Sequence, residues 1–249
     1  MIKNMILIFA AFYALKSLGN VDYDVRASLR GYPSGIAVQS DIGYGQKLWG
    51  KDDVMYGYIR PGINLQSSAV VNYAGAQLDF YPISFFGVSV GKTYGNRSYD
   101  DFQGFNCQEL SCENSIEKTH LAINLALAYK KVKFINFYKK QDFDNKTPGS
   151  FFAEEFSNLV GFEGDKLATN ASILGYDINK NLMIAYLHMY NKMENTNQRS
   201  RMNLILGNYK KGQFTYQVGA GNFYNRNSKN HFSALFVVKW TGAKGLRLF

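Results

Sequence analysis

The alternation of apolar and polar residues near the end of the chain constrains the fold most strongly. Over residues 214–220, and again over 232–240, apolar side chains, most of them large, occupy every second position. A period of two predicts β-strands, each with one apolar, aromatic face. The opposite face is small and polar, with Leu235 and Val237 as exceptions, and does not resemble a wall of a soluble core. Strands that are apolar outside and polar inside are typical of a transmembrane β-barrel.

The same pattern recurs along the chain and predicts about twelve antiparallel strands. The connections alternate in length, with short ones at 49–53, 81–84, 130–131, 177–181 and 210–212, and with the long ones at 95–117, 142–165, 193–200 and 225–230. Transmembrane barrels have short periplasmic turns and long extracellular loops. Twelve strands with both termini in the periplasm reproduce this alternation. The predicted fold class is therefore an all-β transmembrane antiparallel β-barrel, with its weakest strand pattern over 132–165.

The first nineteen residues are predicted to be a secretory signal peptide. Lys3 gives a positive start, residues 5–15 are apolar, and Ser17 and Gly19 are small residues suited to a cleavage site before Asn20. The apolar run is too short for a spanning helix, although a retained N-terminal anchor is the alternative. The predicted domains are a signal peptide at 1–19 and a barrel at 20–249.

Aromatic residues beside the short turns predict a periplasmic girdle: Trp49, Tyr81, Phe85, Tyr129, Tyr176, Tyr209, Phe214 and Trp240. With its aromatic-rich last strand and terminal Phe249, the chain resembles Gram-negative outer-membrane β-barrels, although residues 242–249 trail past that strand. The resemblance implies residence in outer-membrane lipid of a Gram-negative bacterium and recognition by the barrel-assembly machinery. We expect a monomer.

The charge distribution argues against a nucleic-acid partner, although the chain carries a formal charge of +9. The predicted turns and tail hold most of the excess Lys and Arg, whereas the long loops at 95–117 and 142–165 are acidic. A nucleic-acid-binding surface needs cations clustered on one accessible face. We interpret the charged turns and loops as solvated segments.

Charged residues on the polar faces of the strands are predicted to line the lumen. These predicted pore-lining residues are Arg26, Arg30, Arg60, Asp41 and Asp79, with Asp22, Asp24 and Lys239 nearer the periplasmic mouth. Such side chains set ion preference in water-filled pores, or they pair and fill a barrel of intermediate width. The favoured function is a narrow passive channel for small hydrophilic solutes or ions, with the sign of its selectivity open.

Two other functions compete with the channel hypothesis. His231 and Ser233 lie on one face of a strand, and this spacing is similar to the His-x-Ser pair of the outer-membrane phospholipase, another twelve-stranded barrel. The resemblance implies a lipid-modifying hydrolase with Ser233 as nucleophile and His231 as base. However, this pair lies opposite the apolar face, away from lipid. The third hypothesis is a structural or adhesive barrel that binds partners through its acidic loops.

Cys107 and Cys112 lie in one polar loop, and in an exported protein they are predicted to form a local disulfide. No metal site is predicted, because no His or further Cys shares that loop. His120 and His188 lack metal-ligand spacing and are expected at the rim or in the lumen. No cofactor is predicted.

Overall fold

The computed structural model describes residues 20–50, 55–98, 103–145 and 149–247. The predicted signal peptide and Phe249 lie outside these ranges. Within them, no helix is long and apolar enough to cross a membrane.

The described chain forms fifteen β-strands. They are β1 (Val21–Arg30), β2 (Gly35–Tyr44), β3 (Gln46–Trp49), β4 (Gly57–Ser67), β5 (Val71–Ile83), β6 (Phe86–Arg97), β7 (Asn114–Tyr129), β8 (Val132–Asn145), β9 (Phe151–Glu154), β10 (Leu159–Phe162), β11 (Lys166–Asp177), β12 (Leu182–Met193), β13 (Arg199–Lys211), β14 (Phe214–Tyr224) and β15 (Asn230–Ala243).

Strand pairing closes the sheet into a barrel. Every barrel strand pairs antiparallel with its neighbours, β1 pairs with β15, and β2 pairs with β4. β2 and β3 both pair with β4 and form one interrupted wall strand, and β9 and β10 form a sheet of their own. The barrel therefore has the twelve strands that the sequence predicts. β8 is a full strand despite its weak pattern.

The two ends of the barrel differ as predicted. The end here called the turn end has the short connections, such as 130–131 and 212–213, and the loop end has the long ones. Tyr129, Tyr176 and Tyr209 are exposed on the outer surface near the turn end, as expected for a girdle. The prediction for Tyr81 was wrong: its ring is buried inside the barrel, stacked on Tyr58 with centroids 4.7 Å apart.

Pro61 explains the interruption between β2 and β3. β2 pairs with β4 as far as Gly62, and β3 resumes pairing at Ile59, so that Pro61 lies where the ladder is broken. Proline supplies no donor to a ladder. The pairing of β4 with β5 continues through Pro61 without a bulge. The break lies beside Arg60, whose side chain enters the lumen.

The interior has two different walls. One wall, from β1 and β2 through β4–β8, is largely polar. The other, on β11–β14, carries buried apolar side chains that form a packed cluster: Ala185, Leu187, Met202, Leu204, Leu206 and Phe223. The expectation of a polar inner face was therefore wrong for β12 and β13. Because these side chains pack against one another, they fill that side of the barrel and leave open space along the charged wall.

Candidate functional site: the barrel lumen

A cavity of about 820 Å³ lies in the lumen along the charged wall. Its lining includes six of the predicted pore-lining residues: Asp24, Arg26, Arg30, Asp41, Arg60 and Asp79. Their pore-lining role stays a prediction. Three further cations in the same lining were not predicted to line the pore: Lys118, Lys139 and Arg247, which follows β15. For the two lysines, the alternation with outward Leu121 and Tyr138 indicates an inward face, because successive side chains of a strand point to opposite faces.

Arg60 is the centre of a buried ion-pair network near the turn end. Its Nε and Nη2 donate to the two carboxylate oxygens of Asp22 at 2.8 and 2.6 Å. Its Nη1 donates to Asp79 at 3.1 Å, and Nη2 also donates to Asp41. The planar guanidinium suits several carboxylates at once. Arg60 and Asp22 are almost fully buried, so this network closes space instead of lining an open pore.

The segment after β15 turns back into the turn end and joins this network. Arg247 lies 2.9 Å from Asp22, 3.0 Å from Asp24 and 3.2 Å from Asp41. The Leu246 carbonyl accepts a hydrogen bond of 2.6 Å from the hydroxyl of Tyr56. The C-terminal tail is therefore an inner part of the barrel mouth and not a free extension.

Gly245 allows the tail to make this turn. Its φ is +55°, which L side chains rarely adopt, and an added Cβ would lie 2.9 Å from the Asp22 Cβ. The next residue, Leu246, packs against the ring cluster formed by Tyr56, Tyr58 and Tyr81. Beyond the tail, Asp24 is also paired with Lys239 at 3.2 Å and with Arg26 at 3.4 Å. All eight predicted lumen charges except Arg30 belong to this network.

The loop end is closed by a hairpin, β9 and β10, that lies within the segment predicted to be a solvated loop, residues 142–165. β9 and β10 pair with each other and lie inside the mouth. Phe152 and Leu159 are fully buried and belong to one apolar cluster with residues of five wall strands. Those wall residues are Val71, Tyr73, Ile116, Phe143, Leu167 and Met193. Burial of these side chains holds the hairpin against the wall.

Polar contacts fix the same hairpin. Arg97 Nη1 donates to the Ala153 carbonyl at 2.8 Å. Lys118 Nζ lies 3.8 Å from Glu154 and donates to the Tyr73 hydroxyl at 3.0 Å. The Tyr73 hydroxyl in turn donates to Glu155. These acidic residues therefore serve as inward contacts, whereas the sequence analysis placed them on a solvated loop.

Arg30 lies on the opposite wall from the hairpin's base. Its Nε donates to the Pro33 carbonyl at 2.8 Å, and its charge interacts with Glu154 and Glu155. In the sheet order β1 is separated from β8 by five strands in either direction around the barrel. The hairpin thus reaches across the mouth toward the far wall.

The outer loops cover the hairpin. Arg226 Nη2 donates to the Gly104 carbonyl at 2.6 Å, and burial lowers the pKa of this guanidinium. Asn158 donates to the Gln103 carbonyl at 3.0 Å. The predicted disulfide is confirmed: Cys107 and Cys112 are bonded. Ser111, within the disulfide-closed loop, exchanges backbone hydrogen bonds with β9, so that this loop is coupled to the hairpin.

A lysine and a histidine of the lumen have side-chain nitrogens without partners among the described residues. Lys139 lines the cavity without an ion pair or hydrogen bond in that part of the chain. His120 lines the same cavity, as predicted, and its buried Nδ1 has no hydrogen-bond partner in the described ranges. Arg60, Arg247 and Lys239 are compensated by carboxylates, so Lys139 is the more available cation for a solute.

His231 and Ser233 do not form a nucleophile–base pair in this structure. The Ser233 hydroxyl is buried and donates to the Tyr32 carbonyl at 2.6 Å. The His231 ring stacks on the Tyr32 ring at 3.9 Å, and its Nε2 contacts Asn225 at 3.2 Å. Both side chains therefore hold Tyr32 in the loop end. No group of His, Cys, Asp and Glu suited to a metal ion occurs within the described ranges.

The closed antiparallel barrel has the architecture of the outer-membrane β-barrel class, as predicted from the sequence. No protein-family model matches the chain, and no curated protein sequence matches it. Among solved structures, the NanC porin aligns over 88% of this chain and 98% of its own, with 12% identity and a TM-score of 0.47. The KdgM porin aligns over 88% and 98%, with 11% identity and a TM-score of 0.46.

LpxR from Salmonella typhimurium aligns over 88% of this chain and 99% of its own, with 7% identity and a TM-score of 0.43. At these identities and TM-scores the similarities assign neither a solute nor a reaction to this chain.

Proposed function

We propose that the protein is a narrow, anion-preferring channel for small hydrophilic solutes in the outer membrane of a Gram-negative bacterium. The observation that carries the proposal is the cavity of about 820 Å³ along the charged wall. Its lining has six cationic side chains and four carboxylates. Charged side chains of one sign set the preference of such pores.

Lys139 is the residue with which we expect an anion to interact most directly. The other cations of the lining near the turn end are already paired with Asp22, Asp24 and Asp41. An unpaired ammonium in a confined space attracts anions more strongly than one in open water, because the effective dielectric constant is lower. The tail and the hairpin narrow the two ends, so we expect low conductance and exclusion of bulky solutes.

The test is single-channel recording of the refolded mature protein in planar bilayers with asymmetric KCl. We expect small discrete steps in the current, and a reversal potential whose sign shows that chloride is more permeant than potassium. Lys139→Gln should reduce that potential, whereas Lys211→Gln, an exposed residue beside a turn, should leave it unchanged. Cation preference would contradict the proposed selectivity. Silence of the folded wild type and of a folded Arg247→Ala variant would overturn the channel itself.

A further inference from the structure

The outer surface of β8 and β11–β13 carries a row of polar side chains. Asn136, Ser172, His188 and Asn203 are successive cross-strand partners. They face outward, because neighbours in sequence such as Leu187 and Met189 belong to the inner apolar cluster. Polar residues on a lipid face are costly, and ionisable residues within a membrane usually mark a functional site. The prediction that His188 lies at the rim or in the lumen was wrong, because its side chain is on the outward face of β12.

His188 is oriented by Asn203. Its Nδ1 lies 2.7 Å from Asn203 Oδ1, which also accepts a hydrogen bond of 2.9 Å from the Tyr186 hydroxyl. An amide oxygen can only accept, so Nδ1 carries the proton and Nε2 has a free lone pair. Nε2 has no partner among the described residues. The imidazole is therefore set in the tautomer of a general base.

Ser172 lies next to this base. Directly opposed residues of an antiparallel pair have Cβ atoms about 5 Å apart, and Ser172 is the partner of His188 on β11. Asn136 Nδ2 donates to Ser172 Oγ at 2.8 Å and to Asn170 Oδ1 at 2.8 Å. The hydroxyl proton of Ser172 has no acceptor in the described part of the chain. A small rotation about the side-chain torsions would direct this proton to His188 Nε2. Catalytic hydrogen bonds are often long or poorly aligned before substrate binds.

We propose that Ser172, His188 and Asn203 form a hydrolytic site for acyl esters of membrane lipids. Ser172 is the nucleophile, His188 is the general base and acid, and Asn203 is a positioning residue. The site is separate from the lumen and from His231 and Ser233. It therefore extends beyond the proposed channel function and does not depend on it.

The position of the row favours a lipid ester as substrate. The next outward row toward the loop end contains aromatic residues and a cation: Tyr138, Asn170, Tyr190, Arg201 and Tyr224. Beyond it lie Lys140, Lys192 and Arg199. Aromatic girdles mark the boundary between hydrocarbon and headgroups, where acyl esters lie. Cations above that boundary suit phosphate groups.

On the side toward the turn end, the same surface is apolar. Phe134, Leu174 and Ile205 lie in the outward rows below the polar row. Leu174 and Ile205 are more than half exposed in the isolated chain, as expected for residues that contact acyl chains. An amphiphile bound here would place its phosphate near the cations, its ester near Ser172 and its acyl chain along the apolar surface.

The reaction is ester hydrolysis in two steps. Ser172 Oγ attacks the ester carbonyl while His188 Nε2 takes the hydroxyl proton. The resulting oxyanion can accept a hydrogen bond from the Asn136 amide. The C–O bond to the alcohol then breaks, and His188 returns the proton to the departing lyso-lipid alkoxide. Water, activated by His188, attacks the acyl-serine, releases the fatty acid and restores Ser172.

The first test is covalent labelling of the folded wild type in detergent with a fluorophosphonate probe, followed by peptide mass spectrometry. We expect modification of Ser172, its absence in Ser172→Ala, and strong slowing in His188→Ala. Ser233→Ala is the matched serine control and should label like the wild type. Absence of labelling at Ser172 in a folded wild type would overturn the site.

The second test measures fatty-acid release from two lipid sources: phosphatidylethanolamine vesicles and vesicles that contain lipid A. Release from one source identifies the substrate, and release from both indicates an ester site of broad tolerance. Ser172→Ala should lower the rate about 10³-fold or more. A rate for Ser172→Ala equal to that of wild type, or no release from either source, would contradict the proposal.

The role of Asn203 is tested by a pair of variants. Asn203→Ala should lower kcat by about 10- to 100-fold with little change in KM, because substrate does not contact this side chain. Asn203→Asp should recover part of kcat and move the acidic limb of the pH–rate profile to higher pH, since a carboxylate favours the imidazolium. Equal loss in both variants without a change in the pH profile would exclude the positioning role.

Discussion

Arg247 and Asp22 form an ion pair, with 2.9 Å between Arg247 Nε and Asp22 Oδ1, that joins the C-terminal tail to the first strand of the barrel. The same carboxylate is held by Arg60. The tail and the ion-pair network are thus one structure, and loss of the Arg247 guanidinium changes the charges at the turn end of the lumen.

Arg247→Ala should open the turn end. Without the guanidinium, Asp22, Asp24 and Asp41 lose a shared partner and the tail loses its charged anchor. We expect single-channel conductance to rise several-fold, because pore width is limited there. Lys244→Ala changes an exposed residue of the same tail and is the control. Equal conductance of wild type and Arg247→Ala would show that the tail does not limit flow.

Arg60→Ala should be the most destabilising single substitution in the lumen. It would leave the buried carboxylates of Asp22 and Asp79 without their principal partner. Breaking a buried ion pair by removing one partner costs about 3–5 kcal/mol. Urea unfolding of the refolded barrel in lipid vesicles measures the loss. Arg26→Ala, a partly exposed lumen residue with one long ion pair, should cost less than about 1 kcal/mol.

Reduction of the disulfide should loosen the loop-end hairpin. Ser111 lies between Cys107 and Cys112 and is hydrogen-bonded to Phe151 and Ala153 of β9. We expect reduction to increase conductance or the frequency of open events without unfolding the barrel, because the wall strands do not depend on this loop. A Cys107→Ser/Cys112→Ser variant should behave like the reduced protein and be insensitive to reductant.

The barrel itself could be predicted because two independent patterns agree. Alternation with a period of two assigns faces to the strands, and the alternation of short and long connections fixes their number. The same period correctly places Asp22, Asp24, Asp41 and Asp79 on the inner face. It does not indicate that they meet at Arg60. That requires the register, in which Arg60 is opposite Asp79 and Asp24 is opposite Asp41.

Three features could not be predicted from the alternation. A period of two identifies the two faces of β12 and β13 but does not tell which of two partly apolar faces is the inner one. The closed barrel shows that Leu204 and Leu206 fill the interior. The hairpin has a weak sequence signal, the pairs of apolar residues at 151–152 and 159–160. They lie within a loop that is predicted to be solvated. The outward row containing Ser172 and His188 depends on cross-strand register, which no local pattern contains.

Gly43→Ala should test the packing around Arg60 without removing any charge. A Cβ at Gly43 would lie 2.2 Å from Arg60 Cζ, so the guanidinium would have to move. Arg60 is held by three carboxylates and cannot move without lengthening those contacts. Overpacking of this kind costs about 1–3 kcal/mol.

The matched control is Gly207→Ala on β13, where an added Cβ would meet nothing within 4 Å. It should change the free energy of unfolding by less than about 0.5 kcal/mol. Urea unfolding in vesicles compares the two variants with wild type. Equal stability of Gly43→Ala and Gly207→Ala would mean that the Arg60 side chain can move aside without loss of its ion pairs. The ion-pair network would then not be a rigid closure of the turn end. Destabilisation of Gly43→Ala alone would show that the Arg60 guanidinium needs the space beside Gly43 to make its three ion pairs.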